Sequence, residues 1–411
     1  MLSYQDARAK VFEVVGARGG AGARATETVD IARNPATALG RFLAEDVVAD
    51  RDYPAFDRST RDGFALRAAD AANPGAKLRL IGESRAGLPF NGCVSAGECV
   101  RILTGAGLPT GADAVIMQEY AQTDGDFVVF DRGIDAGQNV VGAGSEARAG
   151  GLVLARGTRI GYAELAAAAQ VGRIHLPVAV RARVAILSTG DEVIAVDKSP
   201  GCFEIRNSNS VSLATQVAQA GGEPIILGNA RDDVGELRAA IECGLDSEIL
   251  VLSGGVSVGT YDLVEEVLSG LGAKFFFDSV AIQPGRPAVF GWCRGKPVFG
   301  LPGNPVSTMV TFELFVAPAI AILSGAEPPP LPLLKAQMAH PLNEKPPLAH
   351  FLPARIKWDG GGKSPVPQVE AIPWRSSGDI GAVVRANCFL VVQGENQKFE
   401  SGDWVDVWLQ Q

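Results

Sequence analysis

The sequence predicts a multi-domain chain of the α/β plus β class. It comprises a doubly wound α/β domain, a β-rich lobe, an N-terminal linker domain and a small C-terminal β domain. Three observations carry this expectation. The chain has 411 residues, more than one ordinary hydrophobic core holds. From Arg181 onward, apolar strand-like runs alternate with amphipathic helical runs, the pattern of a parallel sheet with crossover helices. Before and after that stretch, short apolar runs are separated by glycine and proline turns, the texture of small β domains.

Taken in order, the first fifty residues read as helical segments ending in "ATALGRFLAEDVVA" (36–49). From about Asp52 to Ala136, "KLRLIGES", "ECVRIL", "DAVIMQEY" and "FVVF" read as strands of a β-rich lobe. "GGLVLARGTRIGYAELAAAAQVG" (150–172) gives a turn-rich piece and then an alanine-rich helix. The α/β part runs strand "RVAILSTG", helix "SNSVSLATQVAQAGG", strand "EPIILGNA", helix "VGELRAAIECG" and strand "EILVLSGG". It continues with helix "LVEEVLSGLG", strand "KFFFDSVAI" and helix "VSTMVTFELFVAPAIAILSG". "AEPPPLPLL" (326–334) is a stiff linker that cannot continue a helix. Short alternating strands follow to the end. The expected division is 1–50 with 137–180, then 51–136, 181–325 and 326–411.

Composition narrows the function classes. A net charge of −9 argues against nucleic-acid binding, which needs clustered Lys and Arg. The six cysteines contain no C-x-x-C, so buried thiols in a reducing compartment are expected rather than a disulfide framework. Three histidines supply zinc or Ser-His-Asp chemistry poorly. The chemistry should therefore rest on carboxylates, hydroxyls, Arg or Lys, and backbone. The first twenty residues carry charges throughout and no apolar h-region, which predicts no signal peptide and a cytoplasmic protein. The most apolar stretch, "TFELFVAPAIAILSG" (311–325), falls short of the ~20 residues that span a bilayer, so no membrane association is expected.

Ligands of an open α/β sheet bind beyond the carboxyl ends of its strands, and three motifs fall there. "SGGVSVGTYD" (253–262) opens a helix with bare backbone. Its glycines permit close approach and positive φ, and free N–H groups at a helix start favour anions. Asp262 beside a phosphate is either a ligand of a bridging Mg²⁺ or a cap of its own helix. "GLPGNPVS" (300–307) has a capping Asn304 and Pro305 in the first turn, with Gly303 and Ser307 at the same end. "STGDE" (188–192) sets Asp191 and Glu192 after a buried strand, as a solvated turn or as metal or ribose ligands. In the lobe, "FDRSTRDGFALRAAD" (56–70) clusters Arg58, Arg61 and Asp62, a composition that a surface turn also explains.

"DRSTRDGFA", "ILTGAGLPTGADAVIMQE", "VAILSTGDEV", "SNS", "SGGVSVGTYD", "PGRP" and "GLPGNPVS" occur in this order. Together they resemble the molybdopterin molybdenumtransferase family (the MoeA and gephyrin E-domain family), from about Ala38 to Leu409. The resemblance implies a homodimer of elongated four-domain subunits, with 181–325 as the molybdopterin-binding domain. It implies that the β-rich lobe of one subunit reaches the partner's active cleft. It implies insertion of molybdate into adenylylated molybdopterin, with Mg²⁺-dependent release of AMP. An adenylyltransferase and apo-molybdoenzymes are the implied partners. Tungstate is a possible alternative oxyanion. A non-catalytic molybdopterin-binding paralogue and an adenylyltransferase are the alternative functions.

By motif, the resemblance implies a catalytic set of Asp62, Thr104, Glu192 and Asp262. Asp62, Glu192 and Asp262 are its metal candidates. Ligand cradling falls to Ser188, Thr189, Gly190 and Asp191 of the first loop, and to Ser253, Gly254, Gly255, Ser257 and Gly259 of the second. The third loop adds Pro302, Gly303, Asn304, Pro305 and Ser307. The family's oxyanion motif resembles K-P-G-K-P, and here it reads "QPGRP" (283–287). Arg286 keeps one cation and Gln283 lacks the other. Arg355, Arg375 and Ser377 of "HFLPAR" and "WRSSGD" complete the expected anion site.

Overall fold

The computed structural model describes residues 1–19, 25–255, 263–328, 330–344, 347–358, 366–394 and 398–409. The chain opens with helix α1 (Tyr4–Gly19). Residues 36–49, expected to be helical, are not: a 3-10 turn at Pro35–Ala38 ends at Gly40, whose φ is +72°. Phe42 and Leu43 then bridge Arg159 and Val178 as extended chain. The Ala and Leu content mimics a helix, but the left-handed glycine stops it and the apolar residues fill a separate small core. That core joins Val29, Leu43, Val47 and Tyr53 to Ile160, Ala168 and Val178. Helix α2 (Tyr162–Gln170) is the alanine-rich helix read from the sequence.

The β-rich lobe is one six-stranded sheet. In chain order its strands are β1 (Gly63–Leu66), β2 (Lys77–Ser84), β3 (Glu98–Ile102), β4 (Ala114–Met117), β5 (Ala121–Asp124) and β6 (Phe127–Phe130). Spatially they run β4-β1-β3-β2-β6-β5. Its core holds Phe64, Leu66, Cys99, Ile116 and Phe130.

The α/β domain contains, in order, β7 (Arg183–Thr189), α3 (Ser208–Gln219), β8 (Glu223–Ala230), α4 (Val234–Gly244), β9 (Ile249–Ser253), α5 (Leu263–Gly270), β10 (Lys274–Phe277), β11 (Ile282–Gln283), β12 (Val289–Cys293), β13 (Lys296–Leu301) and α6 (Pro305–Leu323). The sheet order is β8-β7-β9-β13-β12-β10. The first four strands are parallel, whereas β12 pairs antiparallel with both β13 and β10. The all-parallel expectation is corrected here. Arg294 and Gly295, with φ of +47° and +82°, make a two-residue hairpin that needs no crossover helix.

Both faces of this sheet are covered, as its continuous apolar strands require. Along β7, Val184 and Ile186 enter one core while Ala185 and Leu187 enter the other. The same alternation splits Ile249 and Val251 from Leu250 and Leu252 on β9. Helices α4 and α5 cover one face; α3, α6 and α1 cover the other. Residues 1–50, grouped as one segment above, thus divide between two cores: Tyr4, Ala7, Val11 and Val15 of α1 pack on the α/β domain.

Helix α6 is long and apolar enough to cross a membrane by length and composition, but 78% of its apolar window is buried inside the fold. Its middle, Phe312–Val316, is a π-helical turn, in which backbone carbonyls lose their regular partners. The buried Arg8 of α1 donates from Nη1 to the Leu314 carbonyl oxygen at 2.9 Å.

The C-terminal domain has β14 (Leu333–Met338), β15 (Ala349–Lys357), β16 (Gln368–Ala371), α7 (Ile380–Arg385), β17 (Cys388–Val392) and β18 (Trp404–Leu409). The pairing order β15-β16-β14-β18-β17 returns to β15, so the sheet closes into a small barrel. Strand β11 of the α/β domain joins it through Gln283 opposite His350. Phe351, Phe389 and Trp408 reach into the α/β core, with Tyr4 edge-on to Phe351 at 5.4 Å.

Arg8→Met keeps the apolar stem and removes the donor to the Leu314 carbonyl. The α/β domain should lose about 1–3 kcal/mol, read as a lower urea midpoint. An unchanged midpoint would mean that this bond does not hold the π turn.

Candidate functional site

The site lies at the carboxyl ends of the parallel strands, where three loops meet. β7 ends in the buried Ser188 and Thr189. Asn207 Nδ2 donates to Ser188 Oγ at 2.9 Å, and its Oδ1 accepts from Ser210 N, capping α3. In the first turn of α3, Asn209 Nδ2 donates to both Ser253 Oγ and the Gly303 carbonyl, each at 2.8 Å. A single amide therefore ties the second loop to the third. Gly254 N donates to the Leu301 carbonyl at 3.1 Å.

Glycine is required at two of these positions. Gly254 has φ +89°, and a Cβ there would sit 2.8 Å from the Thr189 carbonyl oxygen. Gly255 has φ +64°, and its Cβ would sit 2.6 Å from Thr189 Oγ1. Loops one and two are thus in backbone contact, and Gly303 of the third packs on Gly254. Ser307 is buried, and its carbonyl accepts from Thr311 Oγ1 at 2.7 Å. Asn304 and Pro305 begin α6, Asn304 without a side-chain cap bond. Pro302 is buried and its carbonyl accepts from Thr308 Oγ1 at 2.5 Å. The expected residues Ser257, Gly259 and Asp262 lie outside the described residues.

Around this junction, Thr189 Oγ1, Asn209 Oδ1 and Asn229 Oδ1 are buried with no hydrogen-bond partner among the described residues. Asn229 uses its Nδ2 on the Gly190 and Val193 carbonyls, at 3.0 and 3.1 Å. Buried polar atoms in native proteins are normally paired. Two unsatisfied amide oxygens and a hydroxyl beside bare glycine backbone suit a ligand that carries N–H or O–H donors.

Acidic groups flank the first loop. Gly190 has φ +126°, and a Cβ there would meet Glu192 Oε2 at 2.7 Å, so the carboxylate folds back over the glycine. Asp191 Oδ1 accepts from Asp232 N at 3.3 Å. Burial pushes the Asp232 carboxyl upward, and the charges of Asp191 and Glu192 add to the shift. Among the described residues, no three of His, Cys, Asp and Glu are grouped to hold a metal ion. Asp62 and Glu192 by themselves do not make a Mg²⁺ site.

Asp62 sits in the β-rich lobe, immediately before β1. Its Oδ1 accepts from Thr104 N at 2.7 Å and from Thr104 Oγ1 at 2.8 Å. The backbone bond first and the hydroxyl second hold this exposed carboxyl below the usual carboxylate range. Asp62 is therefore ionised at neutral pH, and Thr104, expected beside it, is its partner. Gly63 follows because nothing larger fits: a Cβ would lie 1.9 Å from the Ile116 carbonyl oxygen. Arg58 pairs with Glu146 at 2.6 Å, the surface ion pair that composition suggested.

The expected anion residues gather on α6, with one exception. Gly285, between Gln283 and Arg286, has φ +108°, and its Cβ would touch the Thr311 methyl at 2.5 Å. Gln283 and Arg286 are exposed on that turn. The Ser377 carbonyl accepts from Val306 N at 2.9 Å, which brings Arg375 and Ser377 to the start of the same helix. Arg355 lies five residues along β15 from His350, the partner of Gln283, roughly 17 Å at ~3.3 Å per residue. Its Nη2 and Nε both donate to the Arg385 carbonyl, at 2.7 and 3.2 Å.

Asn207, Asn209, Asn229 and Asp232 are site residues that sequence reasoning passed over. "SNS" was visible as a motif, but nothing in the spacing says that Asn209 bonds two distant loops. Asn229 lies near the end of the neighbouring β8 and Asp232 just after it, so only the sheet order brings them in.

Comparison with known proteins covers nearly the whole chain. The family described as "MoeA N-terminal region (domain I and II)" matches residues 2–172. "Probable molybdopterin binding domain" matches 185–322, and "MoeA C-terminal region (domain IV)" matches 335–410. The molybdopterin molybdenumtransferase of Bacillus subtilis strain 168 is 33% identical over 381 residues, 90% of this chain and 87% of that protein. The Staphylococcus epidermidis protein of the same name is 30% identical over 388 residues, 93% of this chain and 92% of its own length. The crystal structure of the molybdopterin biosynthesis MoeA protein from Pyrococcus horikoshii OT3 superposes with a TM-score of 0.77, at 29% identity over the full length of both chains.

Two outcomes follow from the geometry. Thr104→Val should raise the Asp62 pKa part of the way back to an ordinary carboxylate, because the larger backbone contribution remains. The folded-state pKa is depressed, so the contact is complete above the ordinary carboxylate pKa and is lost as pH falls through the folded one. Carbon-13 NMR titration reads this directly, and an unmoved pKa would reject the hydroxyl's part. Asn209→Ala removes two bonds and should cost about 2 kcal/mol at roughly 1 kcal/mol each. Denaturation of the folded chain measures it; a loss under a few tenths would mean the two loops hold themselves.

Proposed function

Because this chain belongs to the molybdopterin molybdenumtransferase (MoeA) family, an enzyme family of molybdenum cofactor biosynthesis, we propose that it inserts molybdate into adenylylated molybdopterin and releases AMP. The observation that carries this reading is the three-loop junction at the sheet ends. There the glycine backbone of Gly254, Gly255 and Gly303 surrounds the unsatisfied atoms Thr189 Oγ1 and Asn209 Oδ1. Such a junction suits a ligand that offers phosphate groups to the bare glycine backbone and N–H donors to the unsatisfied oxygens. Cleavage of a diphosphate needs positioning and charge neutralisation more than covalent chemistry.

On this reading the first and third loops hold the nucleotide and pterin, and Arg286, Arg375 and Ser377 serve the oxyanion. Asp62, ionised and exposed on the lobe, serves a cleft of a second copy in a cytoplasmic homodimer. Asp262 of the second loop completes the acidic set. Mg²⁺ belongs to the reading by family resemblance, with Asp62, Glu192 and Asp262 as the residues that would hold it. Tungstate competes with molybdate because the two oxyanions are nearly isosteric. The alternative, a binding paralogue without turnover, is favoured by one observation, the neutral Gln283 where a cation is expected.

The test is AMP release from adenylylated molybdopterin by the purified chain, with molybdate or tungstate, with Mg²⁺ or with chelator. Oxyanion-dependent release is expected, falling at least 100-fold in Asp62→Ala with the fold intact. Tight substrate binding without release under either oxyanion would replace the transferase reading by the binding one.

A further inference from the structure

Strand β8 carries an irregularity next to the first loop. Its pairing with β7 sets Ile186 opposite Ile226 and then Leu187 opposite Gly228, so Leu227 is an extra residue. Gly228 takes φ +93°, a left-handed value that suits glycine. Such a bulge shifts the register by one and turns the residues after it to the other face. Asn229 is thereby set opposite Ser188, where an unbroken ladder would set it opposite Thr189. Because β8 is the edge strand of the sheet, the bulge disturbs no second ladder. Bulges of this kind re-aim side chains beside functional sites.

The re-aimed amide closes the turn at 190–193. Val193 N donates to the Gly190 carbonyl at 3.2 Å. Asn229 Nδ2 donates to that same carbonyl at 3.0 Å and to the Val193 carbonyl at 3.1 Å. The two acceptors fix the orientation of the amide, since the reverse would set Oδ1 against both. Glu192 is the third residue of this turn. Its carbonyl accepts from Ile205 N at 2.8 Å, and its exposed carboxylate lies back over Gly190. Electrostatics opposes the arrangement. Asp191, Glu192 and Asp232 share one corner, and like charges push the turn outward. The two bonds from Asn229 hold it in.

We propose that Asn229 is a positioning residue of the reaction, holding the 190–193 turn closed and so keeping the Glu192 carboxylate at the mouth of the first loop. The inference rests on the transferase reading for what Glu192 does there. Asn229 acts through the turn, not on the ligand. Its effect therefore falls on rate more than on affinity, because a displacement of about 1 Å at a reacting group costs up to ~100-fold.

Asn229→Asp in the full-length chain tests it, since the variant keeps the size and places an oxygen against both carbonyls. Amide hydrogen exchange should become about tenfold faster at Val193, while Ile186 and Val251 within the sheet keep native rates. In AMP release from adenylylated molybdopterin, kcat should fall about tenfold with KM within about threefold of native. In a Glu192→Ala background, adding Asn229→Asp should slow release no further, because the residue through which Asn229 acts is gone. Native exchange at Val193 would overturn the proposal. So would faster exchange with a native kcat, or losses that multiply in the double variant. If Asn229→Asp does not fold, Asn229→Ala is read by the same measurements. If the native chain releases no AMP, the transferase reading falls, and exchange at Val193 then decides by itself whether Asn229 holds the turn.

Discussion

The burial of α6 is the constraint on which the rest depends. An apolar helix of this length can exist in a folded soluble domain only if neighbours cover it, and here a sheet, two other helices and part of a barrel do so. The same packing delivers chemistry. The helix starts at the third glycine loop, its first turn grips the segment carrying Arg375 and Ser377, and its second turn receives Gly285 of the "QPGRP" turn. Residues from three separate stretches of sequence thereby share one rod. The π turn in its middle is the local cost, and Arg8 offsets it from a helix that begins at residue 4.

The lobe is organised independently. Its core shares no residue with that of the α/β domain, and it presents Asp62 on a turn braced by Thr104 and Gly63. That carboxylate is already ionised and already oriented before any ligand arrives. A group prepared in this way loses little freedom on binding, which is how rigid positioning contributes to affinity and rate.

The alternation of strands and helices from Arg181 was legible because the central strands β7 and β9 are apolar on both faces and α3, α4 and α5 on one. The reading failed where local composition and tertiary demand disagree. The stretch 36–49 is rich in helix formers, yet Gly40 and a core that needs extended chain overrule them. The β12–β13 hairpin escaped notice because Arg294-Gly295 is too brief a signal inside an expected crossover. That the three glycine loops lie at the carboxyl ends of the strands was readable, since their spacing after strands implies a place in the sheet. The bracing was not: Asn209 across two loops, Arg355 on the carbonyl of Arg385, and Asn229 from the adjoining strand are relations between distant residues that no local pattern encodes.

The closure of the C-terminal sheet has a consequence for the behaviour of the chain in a crowded solution. An open sheet of five short strands would leave two rows of unpaired amides and carbonyls, each able to recruit a strand from another molecule. Because β17 returns to β15, the two strands that would end such a sheet pair with each other. Among the described residues, the extra strand it accepts, β11, comes from its own α/β domain. The joint between the two domains is therefore made by main-chain pairing within one molecule, and the closure that limits recruitment of a foreign strand involves the same β15 that places the "QPGRP" turn.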